Sequence, residues 1–361
     1  MWMMAFLLLP LAGLVYAGWH VWTLVPLSAV WRTTMIVVGV GAFLSLFLSV
    51  ARVIDSWPMW LARLTYDVST SSLFVLLYLI MTFLVLDLLR LVHVVPASWL
   101  HQNVYTTLAI TVGLFMVFLL GNIHYRHKVR VELNMTTAKQ LSRPMRLVLL
   151  SDLHVGYHNP RKELARWVDI INREQPDAVL IAGDIIDGSL RPLREERMAE
   201  EFRRIEAPVF ACLGNHEYIS GEPSAEQYYS EAGITLLRDS VAMLGDLSII
   251  GRDDRSNPRR LPLTRLTSNA SCPKFTILLD HQPYRLEEAE QAGIDFQLSG
   301  HTHRGQVWPI SWITDAIYEC SWGEHQRGQT RYYVSSGLGI WGGKFRIGTR
   351  SEYAVMEINE R

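Results

Sequence analysis

The sequence predicts an α/β protein in two unlike parts: a four-helix transmembrane domain over residues 1–128, then a two-sheet αββα sandwich over residues 129–361. Three observations predict it. Charge is segregated: of 34 Lys and Arg and 35 Asp and Glu, only Arg32, Arg52, Arg63, Arg90, Asp55, Asp67 and Asp87 precede Arg126. Ahead of that point lie four long stretches with no charge at all, and behind it short apolar runs alternate with helical patterns and end in Asp, His or Asn. A composition of 49% hydrophobic and 19% charged residues suits neither an ordinary soluble enzyme nor an all-membrane transporter, and the segregation accounts for it.

The charge-free stretches are Met1–Val25, Thr33–Ala51, Val68–Leu86 and Val104–Tyr125. Each approaches the roughly 20 residues that a spanning helix needs. One alone could be a buried core helix, and the first could be a cleaved signal peptide, but Met1-Trp2-Met3-Met4 offers no basic n-region. Four in succession, bordered by Trp19, Trp22, Trp31, Trp57, Trp60 and Trp99 where an aromatic belt would sit, point to a multi-pass bundle. Asp87 and Arg90, at i and i+3, read as an interfacial or snorkelling pair in preference to a proton relay. An even number of spans puts the N-terminus and the back domain on one side. Arg52, Arg63, Arg126, Lys128 and Arg130 lie on that side against Arg32 and Arg90 on the other, so the positive-inside rule expects a cytoplasmic back domain.

From Arg126 onward the balance is 30 basic to 32 acidic residues, which leaves no cationic surplus to match nucleic-acid phosphates. No nucleic-acid partner is expected. Cys212, Cys272 and Cys320 form no CxxC pair, which argues against a disulfide framework and a zinc knuckle.

From Met145 onward, Leu147–Leu150, Ala178–Ile181, Val209–Cys212, Phe275–Leu279 and Asp295–Leu298 read as buried strands. Leu164, Trp167, Val168 and Ile171 keep the i, i+3, i+4, i+7 spacing of an amphipathic crossover helix, as do Met198, Phe202 and Ile205 more loosely. Ile234–Leu237, Val241–Leu244 and Leu247–Ile250, the last two joined by Gly245-Asp246, look like a meander. Thr330–Ser335 and Tyr353–Ile358 complete a strand-rich end, and two sheets packed face to face with helices outside fit this order.

The chemistry lies just past the strands. The five buried strands end in Ser151-Asp152-Leu153-His154, Gly183-Asp184, Gly214-Asn215-His216-Glu217, Asp280-His281-Gln282-Pro283 and Gly300-His301-Thr302-His303. Ligands collect at the carboxyl ends of strands in open α/β sheets, so these side chains converge on one site. Alternate residues of an extended chain face the same way, which lets Asp152 with His154, and His301 with His303, each present two ligands. Carboxylates with imidazoles suit Mn, Fe or Zn better than Ca or Mg.

Singly, each of these signals is more often a turn or a solvated pair. As an ordered set, DLH, GD, GNHE, H and GHTH resembles the calcineurin-like metallophosphoesterase superfamily over about Met145 to Ile358, and the stretch Val334–Gly342 with Arg346-Ile347-Gly348 resembles its multi-pass bacterial membrane branch. The resemblance implies a dinuclear centre of two divalent metal ions. Asp152, His154 and His303 would hold one ion, Asn215, His281 and His301 the other, and Asp184 both. His216 would face the substrate as the catalytic residue, stabilising charge or protonating the leaving oxygen. Two such ions lower the pKa of a shared water and clamp the oxygens of an in-line displacement, so the reaction implied is hydrolysis by metal-activated hydroxide. The implied location is the bacterial inner membrane.

The pattern usually reads GHTHGGQ, whereas here Arg304 follows His303. Its forked cation suits a phosphate oxygen, and an exposed loop arginine is the equal alternative. Lys344 and Arg346 are candidate substrate cations, with salt-bridged structural roles the plainer reading. The loop from Arg252 to Arg265 is expected either on an anionic membrane surface or simply in solvent. Trp308 and Trp312, in an apolar run after His303, are either core or a path for an acyl chain, core being the plainer reading.

The expected function is a membrane-anchored, metal-dependent phosphoric ester hydrolase acting on a phosphodiester or pyrophosphate bond of a lipid or lipid-linked nucleotide. The competing readings are a protein or soluble-nucleotide phosphatase, and a non-catalytic membrane sensor or scaffold that keeps the fold.

Overall fold

The computed structural model describes residues 2–268 and 274–361, and Cys272 therefore lies outside the described residues. The chain forms two compact units, Met1–Gly121 with Gly342–Lys344, and Asn122–Trp341 with Phe345–Arg361.

The first unit is built on helices α1 (Trp2–Leu24), α2 (Ala29–Val50), α3 (Met59–Leu91) and α4 (Val104–Arg126), the last running on into the second unit. Among the described residues, α2, α3 and α4 are each long and apolar enough to cross a membrane. Their outward faces are apolar too: Val37, Val38, Val112 and Phe115 are all more than half exposed. A water-facing bundle would not tolerate such a surface, and a hydrocarbon-facing one requires it. Inside, Ala17, Leu24, Phe43, Leu76 and Phe83 form a small core. Asp87 accepts a hydrogen bond from Tyr16 Oη at 2.7 Å and lies 3.0 Å from His20 Nε2. The carboxylate thus joins α1 to α3, a link that its spacing from Arg90 does not reveal.

The second unit contains twelve strands among the described residues: β1 (Lys128–Thr137), β2 (Met145–Leu150), β3 (Ala178–Ala182), β4 (Val209–Cys212), β5 (Ile234–Leu236), β6 (Ser240–Leu244), β7 (Leu247–Gly251), β8 (Phe275–Leu279), β9 (Phe296–Ser299), β10 (Gly323–Arg327), β11 (Thr330–Val334) and β12 (Ser351–Glu360). They form two mixed six-stranded sheets, ordered β1-β12-β2-β3-β4-β5 and β10-β11-β9-β8-β7-β6. Within them β2, β3 and β4 are mutually parallel, as are β7, β8 and β9.

Period-two burial explains the layers. Leu147, Leu149, Leu180, Ile249, Ile277 and Leu298 point into the core between the sheets. Val148, Leu150, Val179 and Ile181 point the other way, onto the helix Arg161–Arg173, whose buried residues are Leu164, Trp167, Val168 and Ile171. Ile250 and Leu278 face the third layer with Leu266 and Leu286. The β6–β7 hairpin turns at Gly245-Asp246 as its sequence implies. The meander does not extend to β5, which pairs parallel with β4 at the edge of the other sheet. A short apolar strand records its own burial but not its partner.

Candidate metal centre

β2, β3 and β4 end side by side in one sheet, and β8 and β9 in the other, so the five polar strand ends meet at one edge of the sandwich. Asp152, His154, Asp184, His301 and His303 all have positive φ, between 45° and 69°. Each such non-glycine residue costs about 1–3 kcal/mol and persists only where its surroundings fix it. Here the backbone is fixed by bonds between strand ends: His154 N–H donates to the Asp184 carbonyl at 3.0 Å, and His301 N–H to both Asp152 carboxylate oxygens at 3.1 Å. Two glycines permit this crowding. A Cβ on Gly214 would lie 2.2 Å from Asp184 Oδ1, and one on Gly300 would lie 2.2 Å from Asp152 Oδ2.

The side chains gather in two groups around Asp184. In the first, His154 Nε2 and His303 Nε2 face each other at 3.1 Å, with Asp152 Oδ1 at 3.7 Å and 3.4 Å respectively. In the second, His281 Nε2 lies 3.2 Å from both Asp184 Oδ2 and Asn215 Oδ1, and Asn215 Oδ1 lies 2.8 Å from His301 Nδ1. Asp184 Oδ2 is also 3.6 Å from His154 Nε2, so this one carboxylate reaches both groups. His281 Nδ1 donates to the Ala182 carbonyl at 2.7 Å, which leaves the Nε2 lone pair turned into the site. Ligands with bonds of about 2.1 Å around one cation stand about 3.0–3.4 Å apart, and the distances here, from 2.8 to 3.7 Å, bracket that range. Among the described residues, Asp152, His154 and His303, then His154, Asp184 and His216, then Asp184, His281 and His301 each form a group that could hold a metal ion. The donor set fits a dinuclear centre.

The electrostatics fit as well. Burial is the main force on His301 and His303 and takes them down to about 4 and about 3, helped by His281 in the first case and by His154 and Arg346 in the second. Both rings are neutral at pH 7, the form that binds metal. Burial opposes ionisation of Asp152 and Asp184, yet the surrounding imidazoles hold both carboxyls well below the ordinary range. Burial would likewise discharge His281 and His216, but Asp184 raises both, His216 to about 9 with the help of Asp187. The carboxylates draw positive charge onto these rings, and a bound cation would supply the same charge.

Residues 145–305 match the family model for calcineurin-like phosphoesterases. This stretch of the chain is similar to calcineurin-like metallophosphoesterases. It is 29% identical over 225 residues to an uncharacterised metallophosphoesterase of Helicobacter pylori, covering 61% of this chain and 61% of that one, so the match spans about three fifths of the relative. It is 27% identical to a Danio rerio transmembrane protein with a metallophosphoesterase domain, over 86% of this chain and 76% of that one. Among solved structures, a dimetal phosphatase from Danio rerio superposes with a TM-score of 0.37 at 13% identity, covering 56% of this chain and 88% of that one.

All seven side chains that the sequence offers as ligands, and His216, are thus brought together in the metallophosphoesterase domain. Three supporting residues are not evident from sequence. Asp187, three residues after Asp184, places Oδ1 3.2 Å from His216 Nδ1. Glu217 is fully buried and accepts the backbone N–H groups of Gly214, Asp184 and Ile186 at 2.7, 3.1 and 3.0 Å, tying the ends of β3 and β4 together. Asn159 donates to the carbonyls of Leu153, His154 and Ile340 and so holds the first ligand loop. The signal for the first two is their position within Gly183–Asp187 and Gly214–Glu217; Asn159 gives none.

The remaining candidates divide. Arg346 is fully buried and donates to the carbonyls of His303, Ser336, Gly337 and Gly339, so it clamps the ligand loop and cannot meet a substrate. Arg304 lies 4.0 Å over the ring of Trp322. Trp308 and Trp312 are 40% and 65% exposed and pack edge to face, which overturns the core reading of this run. Helix formation over Ile310–Ile317 puts Trp312, Ile313 and Ile317 outside.

Proposed function

We propose that the protein is a membrane-anchored dimetal phosphoesterase that hydrolyses a phosphodiester or pyrophosphate bond of a lipid or lipid-linked nucleotide. The reach of Asp184 to both ligand groups carries this reading. Asp152, His154 and His303 would hold one divalent ion, and Asn215, His281 and His301 the other, with Asp184 shared. Manganese, iron and zinc all suit these donors. Bound there, the ions would polarise the phosphoryl group and make water a nucleophile near neutral pH.

His216 does the proton work. Its ring is mostly buried, and Asp187 at Nδ1 orients it with Nε2 left for the leaving oxygen. Arg304, with its guanidinium stacked on Trp322, stands next to the ligand His303 as a contact for a phosphate oxygen. The exposed indoles of Trp308 and Trp312 would hold the acyl portion of a lipid substrate.

We further take residues 1–128 as a membrane domain of four spans, α1 included, and residues 129–361 as the catalytic domain, on the cytoplasmic side of the bacterial inner membrane. The three apolar helices and the loop-charge bias support this arrangement. The substrate class is tested by comparing kcat/KM of the purified full chain on a lipid pyrophosphate in vesicles, a soluble nucleotide diester and a phosphopeptide. Preference for the lipid is expected, and preference for either soluble substrate overturns the class.

A further inference from the structure

The loop after β7 and the turn after His281 enclose a cleft of about 530 Å³ whose lining includes Arg252, Arg255, Arg260 and Arg285, with Glu288 as the acidic member. Two of these arginines are turned inward, not outward to a surface. Arg252 Nη1 lies 3.3 Å from Asp280 Oδ2 and 2.6 Å from Glu288 Oε2, and Arg260 Nη1 lies 3.2 Å from Asp280 Oδ1. Both side chains are largely buried, at 7% and 13% exposure, so their positions are fixed from behind. Arg285 is 65% exposed, with Nη1 2.8 Å from Glu288 Oε1 and Nε 3.7 Å from Glu287 Oε1.

A guanidinium carries five N–H donors, and these contacts use only part of them. Among the described residues, Nη2 of Arg252, Arg260 and Arg285 has no hydrogen-bond acceptor. Among the described residues no carboxylate is paired with Arg255, and its guanidinium rests 4.2 Å over the ring of Tyr284. Two buried, anchored guanidinium groups and two freer ones, all with spare donors around one cleft, make a receptor for a phosphate, whose oxygens they match in pairs.

The cleft is joined to the metal centre by two short links. Asp280, which anchors Arg252 and Arg260, immediately precedes the candidate ligand His281. Tyr284, beneath Arg255, contacts Tyr318 hydroxyl to hydroxyl at 3.0 Å, and the Tyr318 ring stands 6.4 Å from that of His301.

We propose that this arginine cleft binds a second phosphate group of the substrate while the scissile phosphate sits at the metals. The proposal deepens the phosphoesterase reading on which it rests, and it narrows the substrate class to phosphoesters that carry a further phosphate. The same chemistry would also take the phosphate of an anionic lipid headgroup that is not substrate, and the test separates the two.

The metal-loaded full chain is titrated with inorganic phosphate by calorimetry, a measurement independent of turnover. Two phosphates per chain are expected, and one for Arg255→Ala/Arg285→Ala. The conservative Arg255→Lys/Arg285→Lys variant should keep the second site with weaker affinity, and unchanged Tm in both variants excludes misfolding. A single phosphate in wild type, or two in the alanine variant, overturns the proposal.

In parallel, KM is compared on two soluble diesters with the same scissile group, one ending in a phosphate monoester and one in a hydroxyl. The alanine variant should raise KM for the first at least tenfold more than for the second. Equal changes on both, accompanied by lost binding to phosphatidylglycerol vesicles, would assign the cleft to the membrane surface and sink the proposal. Failure to hydrolyse either diester would count against the phosphoesterase reading, while the phosphate stoichiometry would still decide the cleft.

Discussion

Nδ1 of His216 lies 3.2 Å from Oδ1 of Asp187. The carboxylate is buried and the imidazole nearly so, and the ring packs edge to face on His154 at 4.5 Å. A ring gripped on two sides has one orientation, and a proton on its remaining nitrogen has one direction to go. In the proposed mechanism Asp187 is thus a positioning residue and His216 the proton carrier.

Asp187→Asn keeps the shape and removes the charge. The expected result is a kcat roughly 10- to 100-fold lower with KM and metal content retained, the lower end of general acid–base effects. His216→Ala should lose about 10²-fold or more. Since the two act as one unit, the double variant should be no worse than His216→Ala alone. Additive losses in a double-mutant cycle would show that the pair does not work together.

Glu217→Gln tests how the strand ends are held. Its carboxylate serves three backbone N–H groups, and an amide nitrogen must face at least one of them. An orphaned buried N–H costs about 1–3 kcal/mol. In a domain of this size that lowers Tm by about 2–4 °C per kcal/mol, so a fall of several degrees is expected in thermal unfolding, with reduced turnover because the Asp184 backbone shifts. An unchanged Tm would mean that the loop is fixed by other contacts.

The sequence reveals the central strands and hides the edges, for a physical reason. β2, β3, β4, β8 and β9 are buried on both faces and so read as apolar runs. β1 and β10 lie at sheet edges with alternating or partial burial, and Gly323-Glu324-His325-Gln326-Arg327 offers nothing apolar to read. The candidate ligands are legible because each ends a buried strand with a polar side chain. Asp187, Glu217 and Arg346 are not, because what they bind is backbone, or a side chain from a different loop, and no spacing records that. The left-handed backbone at Asp152, His154, Asp184, His301 and His303 is equally silent in sequence, since it follows from crowding between strand ends.

The exposed indoles bear on the substrate. If Trp308 and Trp312 hold an acyl chain, Trp308→Ser/Trp312→Ser should raise KM for a long-chain lipid phosphoester by roughly tenfold or more, given about 1.5–3 kcal/mol for each large apolar side chain. A short-chain soluble analogue should be spared. Trp312 is 65% exposed and Trp308 40%, so the loss of stability should be small at Trp312 and larger at Trp308, and Tm is measured alongside. Equal KM increases on both substrates would remove these residues from lipid recognition.

The central claim is that Asp184 joins two metal positions into one hydrolytic centre. The most direct measurement is elemental analysis of metal per chain in wild type and Asp184→Asn, paired with hydrolysis of bis(p-nitrophenyl) phosphate. The prediction is about two divalent ions per wild-type chain with turnover, and loss of at least one ion together with turnover in the variant, because a neutral amide cannot offset two adjacent dications. An Asp184→Asn protein that keeps both ions and hydrolyses the ester at the wild-type rate would contradict it.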